Sequence, residues 1–304
     1  MRLGPILSCV AAAPLLIAAV QPARLQPSSP WVVDYAENSC RLVRTFGADK
    51  QLVKLEFQSP APGETSMLLE GKPLATDSST VWATFLPVGS KPLEGTVAST
   101  VTRGDPAMLW SSVPMLPDAT AAKIKAEEDQ RHSKPQVRPP ALSLDERASR
   151  RTQRQAFASA ATELEIFTRS DRTVILETGS LGDPFAAFDK CSRDSLSDWG
   201  IDPDVQDKIV RDAWAPNSSR WITSGDYPQN MLDRDEVSVV NLRVQVDATG
   251  KISNCTSLSH FNAPDFNRIS CALVEKRAHF QPAELADGTK VPSYFLLNIT
   301  FRIQ

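Results

Sequence analysis

The C-terminal third of the chain carries its clearest hydrophobic pattern. Val240, Leu242, Val244 and Val246 alternate with Asn241, Arg243 and Gln245, so one side chain in two faces a core and the segment reads as a strand with two unlike faces. Asp247-Ala248-Thr249-Gly250 interrupts the alternation with turn-forming residues, and Ile252 to Ser259 reads as the returning strand of a hairpin. Pro264 then stands where helices favour proline, in the first turn. Phe266, Ile269, Ser270, Leu273 and Arg277 follow at helical spacing. Phe295, Leu297, Ile299, Phe301 and Ile303 alternate with Tyr294, Leu296, Asn298, Thr300 and Arg302 in a last strand. The order is β-β-α-β.

The pattern upstream is different. From Trp31 to Val113, short apolar runs are separated by Gly and Pro clusters: Val53, Leu55 and Phe57 alternate, Val81 to Leu86 is β-branched and aromatic, and Thr96 to Thr102 alternates Val with Thr. These predict strands of an antiparallel sheet. Asp118 to Arg131 reads as a charged helix, and His132 to Pro140, with three prolines, as a loop or short spacer. Ser143 followed by Glu146 has the form of a capping box opening a basic helix to about Ala161. Leu164–Thr168 and Thr173–Glu177 flank Ser-Asp-Arg as a hairpin, and a helix from about Asp183 to Trp199 carries Cys191. The chain is therefore expected to be α+β. A β-rich N-terminal domain over 31–199 would join, through a connection over 200–220, a small C-terminal domain over 221–304. Trp199, Trp214 and Trp221, in or beside the connection, are expected to pack where the domains meet.

The first residues alter the picture. Arg2 precedes a mostly apolar run from Ile6 to Val20, which gives residues 1–23 the layout of a secretory signal peptide. The run is about 15 residues, short of the ~20 that span a bilayer, and Pro14 interrupts it. An uncleaved membrane anchor is the competing reading. The mature chain is expected to be exported. Export also regroups the cysteines: of five, Cys9 leaves with the signal, and Cys40, Cys191, Cys255 and Cys271 remain, open to three pairings.

Composition sets limits. Among 304 residues, 33 Lys+Arg against 36 Asp+Glu give a net charge of -3, which offers no general attraction to nucleic acid. The basic run Arg147, Arg150, Arg151 and Arg154 is accordingly read as a solvated helix face. Three histidines in the whole chain argue against a His-based metal site, and no nucleophile elbow, P-loop, G-x-G-x-x-G or H-E-x-x-H occurs. Neither an enzyme nor a cofactor is expected.

Several ordered elements then resemble one family. Tyr227-Pro228, the strand running into Val246-Asp247-Ala248-Thr249-Gly250, Arg277-Ala278-His279-Phe280-Gln281-Pro282-Ala283 after the helix, and the closing Ile299-Thr300-Phe301 resemble the TonB C-terminal domain. The resemblance spans about residues 221 to 304, roughly a quarter of the chain. It implies a periplasmic protein of a Gram-negative bacterium that binds a segment of an outer-membrane receptor or another envelope protein by strand addition, with an inner-membrane proton-motive-force motor as a further partner. By that topology the residues engaged are Tyr227, Pro228 and the non-core positions Tyr294, Leu296, Asn298 and Thr300 of the last strand. A transducer of the family also needs a membrane anchor and a long Pro-rich spacer. This chain has a short apolar start, and its Pro-rich stretch lies inside the N-terminal region, which favours binding over pulling. Within this topology Cys255 on the second strand and Cys271 on the covering helix form one disulfide, leaving Cys40 and Cys191 to join the two ends of the N-terminal domain. The alternative function is a hydrolase or ligand-binding module in the N-terminal domain, merely tethered by the C-terminal one.

Overall fold

The computed structural model describes residues 22–303 apart from 37, 102–104, 135, 169–172, 217 and 259–263. The expected signal peptide thus falls almost entirely outside the described residues, as does the loop of the 164–177 hairpin. The fold is α+β, with three sheets and six α-helices among the described residues.

Ten strands make the large sheet: β1 (Ala23–Leu25), β2 (Val32–Ala36), β3 (Ser39–Phe46), β4 (Val53–Ser59), β5 (Ser66–Glu70), β6 (Thr80–Leu86), β7 (Leu93–Val101), β8 (Asp105–Trp110), β9 (Glu163–Phe167) and β10 (Val174–Leu176). Their order is β1-β10-β9-β6-β7-β8-β5-β4-β3-β2, antiparallel except for β1 beside β10. The sheet curls until its ends meet. β1 pairs with β10, yet the residues that follow it pair with β3: Pro27 bridges Phe46, and Gly47 N–H donates to the Gln26 carbonyl at 2.8 Å. Arg44 clasps this closure by donating to the carbonyls of Ser29 and Thr178 at 2.8 and 2.9 Å. A closed sheet leaves few unpaired backbone groups to aggregate.

Alternation fills the inside. Val53, Leu55 and Phe57 on β4 and Val81, Ala83 and Phe85 on β6 are buried in one cluster. Gly95 makes room for Trp110, whose ring would lie 2.5 Å from any added Cβ. The helices are α1 (Asp118–Ser133), α2 (Leu144–Ala160) and α3 (Gly182–Asp198). Ser143 caps α2 by accepting from Glu146 N–H at 3.2 Å. Phe185 and Phe188 of α3 enter the cluster, with Phe185 edge-on to Phe57 at 5.0 Å. Cys191 of α3 is bonded to Cys40 of β3. On the chain-entropy estimate this loop of 151 residues stabilises the fold by about 5 kcal/mol.

Of the basic run on α2, Arg151 stays on a solvated face, but Arg147, Arg150 and Arg154 do not. Arg147 pairs with Asp212 at 3.0 Å, Arg150 with Glu127 at 3.0 Å, and Arg154, itself buried, with Asp189 at 3.0 Å and the Thr65 hydroxyl at 2.7 Å. Each cation meets an acid from another element, so α2 ties α1, α3 and the following segment together.

After the short α4 (Pro203–Gln206), β11 (Ile209–Arg211) begins a second sheet, β11-β14-β15, with β14 (Ala283–Leu285) and β15 (Lys290–Val291). The third sheet, β13-β12-β16, holds β12 (Ser238–Val246), β13 (Ile252–Ser257) and β16 (Ser293–Phe301), covered by α6 (Pro264–Arg277), with α5 (Gln229–Leu232) before β12. Val240, Leu242, Val244 and Val246 bury their side chains with Phe266, Val274 and Phe280 of this second core. Trp221 lies in the same core, 5.4 Å from Phe280, instead of at the meeting of the two regions. Cys255 and Cys271 form the strand-to-helix disulfide. Among the described residues no helix is long and apolar enough to cross a membrane.

Candidate functional site: a strand edge beside a packed junction

The third sheet is fixed locally by its turn and its caps. Asp247 accepts from the backbone N–H groups of Thr249 and Lys251 at 2.8 and 3.0 Å, which shapes the hairpin. Gly250 has φ +86°, and a Cβ there would sit 2.3 Å from the Phe280 carbonyl oxygen. Arg277 donates to both carboxylate oxygens of Asp226, at 2.6 and 2.7 Å, and to the Trp221 carbonyl at 2.6 Å. The guanidinium holds the Asp226 carboxyl well below the usual carboxylate range.

β16 lies at one edge of this sheet and pairs only with β12 among the described strands. Which of its backbone groups face outward follows from hydrogen bonding next door. Leu258 N–H donates to the Asn241 carbonyl at 2.7 Å, so position 241 and, by alternation, 243 and 245 bond toward β13. Positions 240, 242 and 244 then bond toward β16, where they face Ile299, Leu297 and Phe295. The N–H and C=O groups of Tyr294, Leu296, Asn298 and Thr300 consequently point away from β12. These are the four positions the resemblance singles out.

Their side chains are not alike. Asn298 and Thr300 are exposed and Leu296 is half-buried. Tyr294 turns into the junction between the large sheet and the third sheet: its ring meets Trp199 edge-on at 6.0 Å. Burial drives its phenol well above the ordinary value, with the carboxylates of Asp212 and Glu64 adding to the effect. Tyr227 is packed as well, edge-on to Phe266 and Phe301 at 5.6 Å each with its hydroxyl donating to the Glu236 carbonyl, and Pro228 leads into α5 half-buried.

The junction also holds a residue from the strand face opposite the apolar one. Arg243, 1% exposed, lies over Trp199 at 3.5 Å and donates to the carbonyls of Asn38 and Pro60 at 2.8 and 3.0 Å. Desolvation lowers its pKa to about 10. Beside it, Ser293 donates to Gln206 at 3.0 Å, Arg138 reaches Glu284 at 2.5 Å and the carbonyls of Asp212 and Pro282, and β11 pairs with β14. The segment expected to be a connection over 200–220 is thus built into the C-terminal sheets. The sequence offered one signal for this: an arginine between Leu242 and Val244 in a strand with no acidic neighbour. Among the described residues no cluster of His, Cys, Asp and Glu is placed to hold a metal ion.

An antiparallel hairpin closed by Asp247 and Gly250, a covering helix ending at Arg277, and a last strand with an open edge coincide with one known family. Residues 224–303 match the family model described as Gram-negative bacterial TonB protein C-terminal. No curated protein and no solved structure matches the chain. The TonB-like segment contains every element of the third sheet, and the large curled sheet lies outside the match.

Proposed function

We propose that the chain is a periplasmic envelope protein whose TonB-like segment binds an extended segment of an outer-membrane receptor or another envelope protein by adding it as a strand to β16. The observation that carries this reading is the outward row of backbone groups at Leu296, Asn298 and Thr300 on an edge strand with exposed polar side chains. The division into an N-terminal domain ending near 199 and a C-terminal one that takes in the 200–220 segment is part of the same proposal. So is a secretory signal within residues 1–23, and the pairing of Ala23 with Val174 in β1 favours its ending before Ala23. The filled interior of the curled sheet, with Phe57, Phe85, Phe185 and Phe188 packed together, supports binding over a ligand pocket there. Attachment of the TonB-like segment to the rest of the chain through Arg243 and β11 supports a short-range binder more than a motor-coupled transducer.

The test is capture from outer-membrane extract with the full chain and with Asn298→Pro. Proline at 298 removes an N–H that points away from β12, so the internal ladder survives and only the donor offered to a partner is lost. Capture of an outer-membrane protein by the native chain and its loss in Asn298→Pro is expected. Equal capture by both sinks the edge as the binding site.

A further inference from the structure

We infer that the N-terminal body is a built-in cover on one end of the β16 edge, so that an incoming strand can engage Leu296, Asn298 and Thr300 but not Tyr294. This rests on the strand-addition reading and adds its regulation: the chain itself sets where pairing begins and how long it runs.

Three contacts place the cover. Trp199, at the end of α3, stands against the Tyr294 ring. On the opposite face, Gln206 of α4, in the segment that follows α3, accepts from Ser293, which is 1% exposed. Arg243, on the face of Tyr294, is closed in by Trp199 and the carbonyls of Asn38 and Pro60. Further along, the face opens: Asn298 and Thr300 are exposed, and Val239, paired with Thr300, is 39% exposed. The covered and open parts form one continuous sheet surface, with the boundary at Leu296.

The consequence for the partner is chemical. Three outward positions accommodate an extended segment of about five residues at the rise of a strand. Side chains pointing toward α6 would cover the half-buried Leu297 and Ile299, and those pointing the other way would meet Asn298 and Thr300. The edge therefore selects a short segment with alternating apolar and polar residues, one end of which abuts Trp199. The polar face and the short reach suit a transient contact more than a permanent one.

Amide exchange on the full chain tests the cover without any partner. The Tyr294 amide points away from β12 as those of Asn298 and Thr300 do, so without a cover all three should exchange alike. With it, Tyr294 exchanges slower by on the order of tenfold or more. Trp199→Ala is expected to bring the Tyr294 rate up to the other two while Leu297 and Ile299, bonded to β12, stay protected. Should Trp199→Ala expose Leu297 and Ile299 as well, the sheet itself has opened, and the more conservative Trp199→Leu, which keeps an apolar side chain but withdraws the ring from Tyr294, decides by the same readout. A native Tyr294 amide as fast as that of Asn298, or one still slow in the variant whose sheet stays closed, overturns the cover. Failure to capture any envelope protein would sink the strand-addition reading and leave this result untouched.

Discussion

The guanidinium of Arg243 lies 3.5 Å from the centroid of the Trp199 ring, joining the middle strand of the TonB-like sheet to the end of the helix that fills the curled sheet. A buried arginine whose planar guanidinium stacks on indole while Nη1 donates to both carbonyls uses a flat cationic face, which a lysine lacks. Arg243→Lys should therefore behave like a truncation. Both Arg243→Lys and Arg243→Ala are expected to cost about 2–4 kcal/mol, since each leaves the Asn38 and Pro60 carbonyls short of a donor. Chemical denaturation followed by Trp fluorescence measures this, and a Lys variant within 0.5 kcal/mol of the native chain, the ordinary range of a surface substitution, would contradict it.

The two disulfides differ in access. Cys40 and Cys191 are 1% and 0% exposed, whereas Cys255 and Cys271 are half-buried at the edge of the third sheet. Under native conditions a small thiol should reduce Cys255–Cys271 first, and alkylation with mass spectrometry reads the order. Replacing that pair by serine is expected to cost about 3 kcal/mol for its loop of 16 residues. Reduction of Cys40–Cys191 first would mean that the curled sheet opens more readily than its packing implies.

Gly250 combines a left-handed φ with backbone contact. Its φ of +86° disfavours any side chain, and the Phe280 carbonyl leaves no room for one. Gly250→Ala is expected to destabilise the third sheet by about 2–4 kcal/mol, while Gly288→Ala, also at positive φ but facing open space, should cost about 1 kcal/mol. Thermal unfolding of the two variants side by side separates the contact from the backbone effect; equal shifts would remove the role given to Phe280.

Periodicity explains what could be read in advance. Val240 to Val246 and Val53 to Phe57 alternate strictly, and the elements they predict are present at nearly the expected positions. Ser143 and Glu146 announced a helix start, because a cap is a local interaction between neighbours in sequence. The junction had no such signal. It is made by single residues remote along the chain, Asn38, Pro60, Trp199, Gln206 and Arg243, each placed by a different element. The closure through Pro27 and Gly47 was hidden for the same reason, and β11 is too short to show alternation. Nothing local marks Arg147 and Arg154 as partnered, because their acidic partners, Asp212 and Asp189, lie 65 and 35 positions away. The four edge positions of β16 were legible from family resemblance. That Tyr294 faces inward to Trp199 was not, since alternation assigns a face and says nothing of what covers it.

Asp226 and Arg277 make the stability of the TonB-like segment pH-dependent in a definite direction. The bidentate pair, with Thr223 N–H donating to the same carboxylate at 2.8 Å, favours the ionised form and lowers the Asp226 pKa in the folded state. A carboxylate whose folded pKa lies below its unfolded value, 3.8, contributes stability that is fully present above that value. It is lost as pH falls below about 4 and continues to be lost down to the folded pKa, because the unfolded chain takes up the proton first. Asp226→Asn keeps the shape and removes the titration. It is expected to lower stability by about 1–3 kcal/mol at neutral pH and by progressively less toward pH 2, so that the two denaturation curves converge in acid. Parallel curves across that range would show that the pair contributes by packing alone.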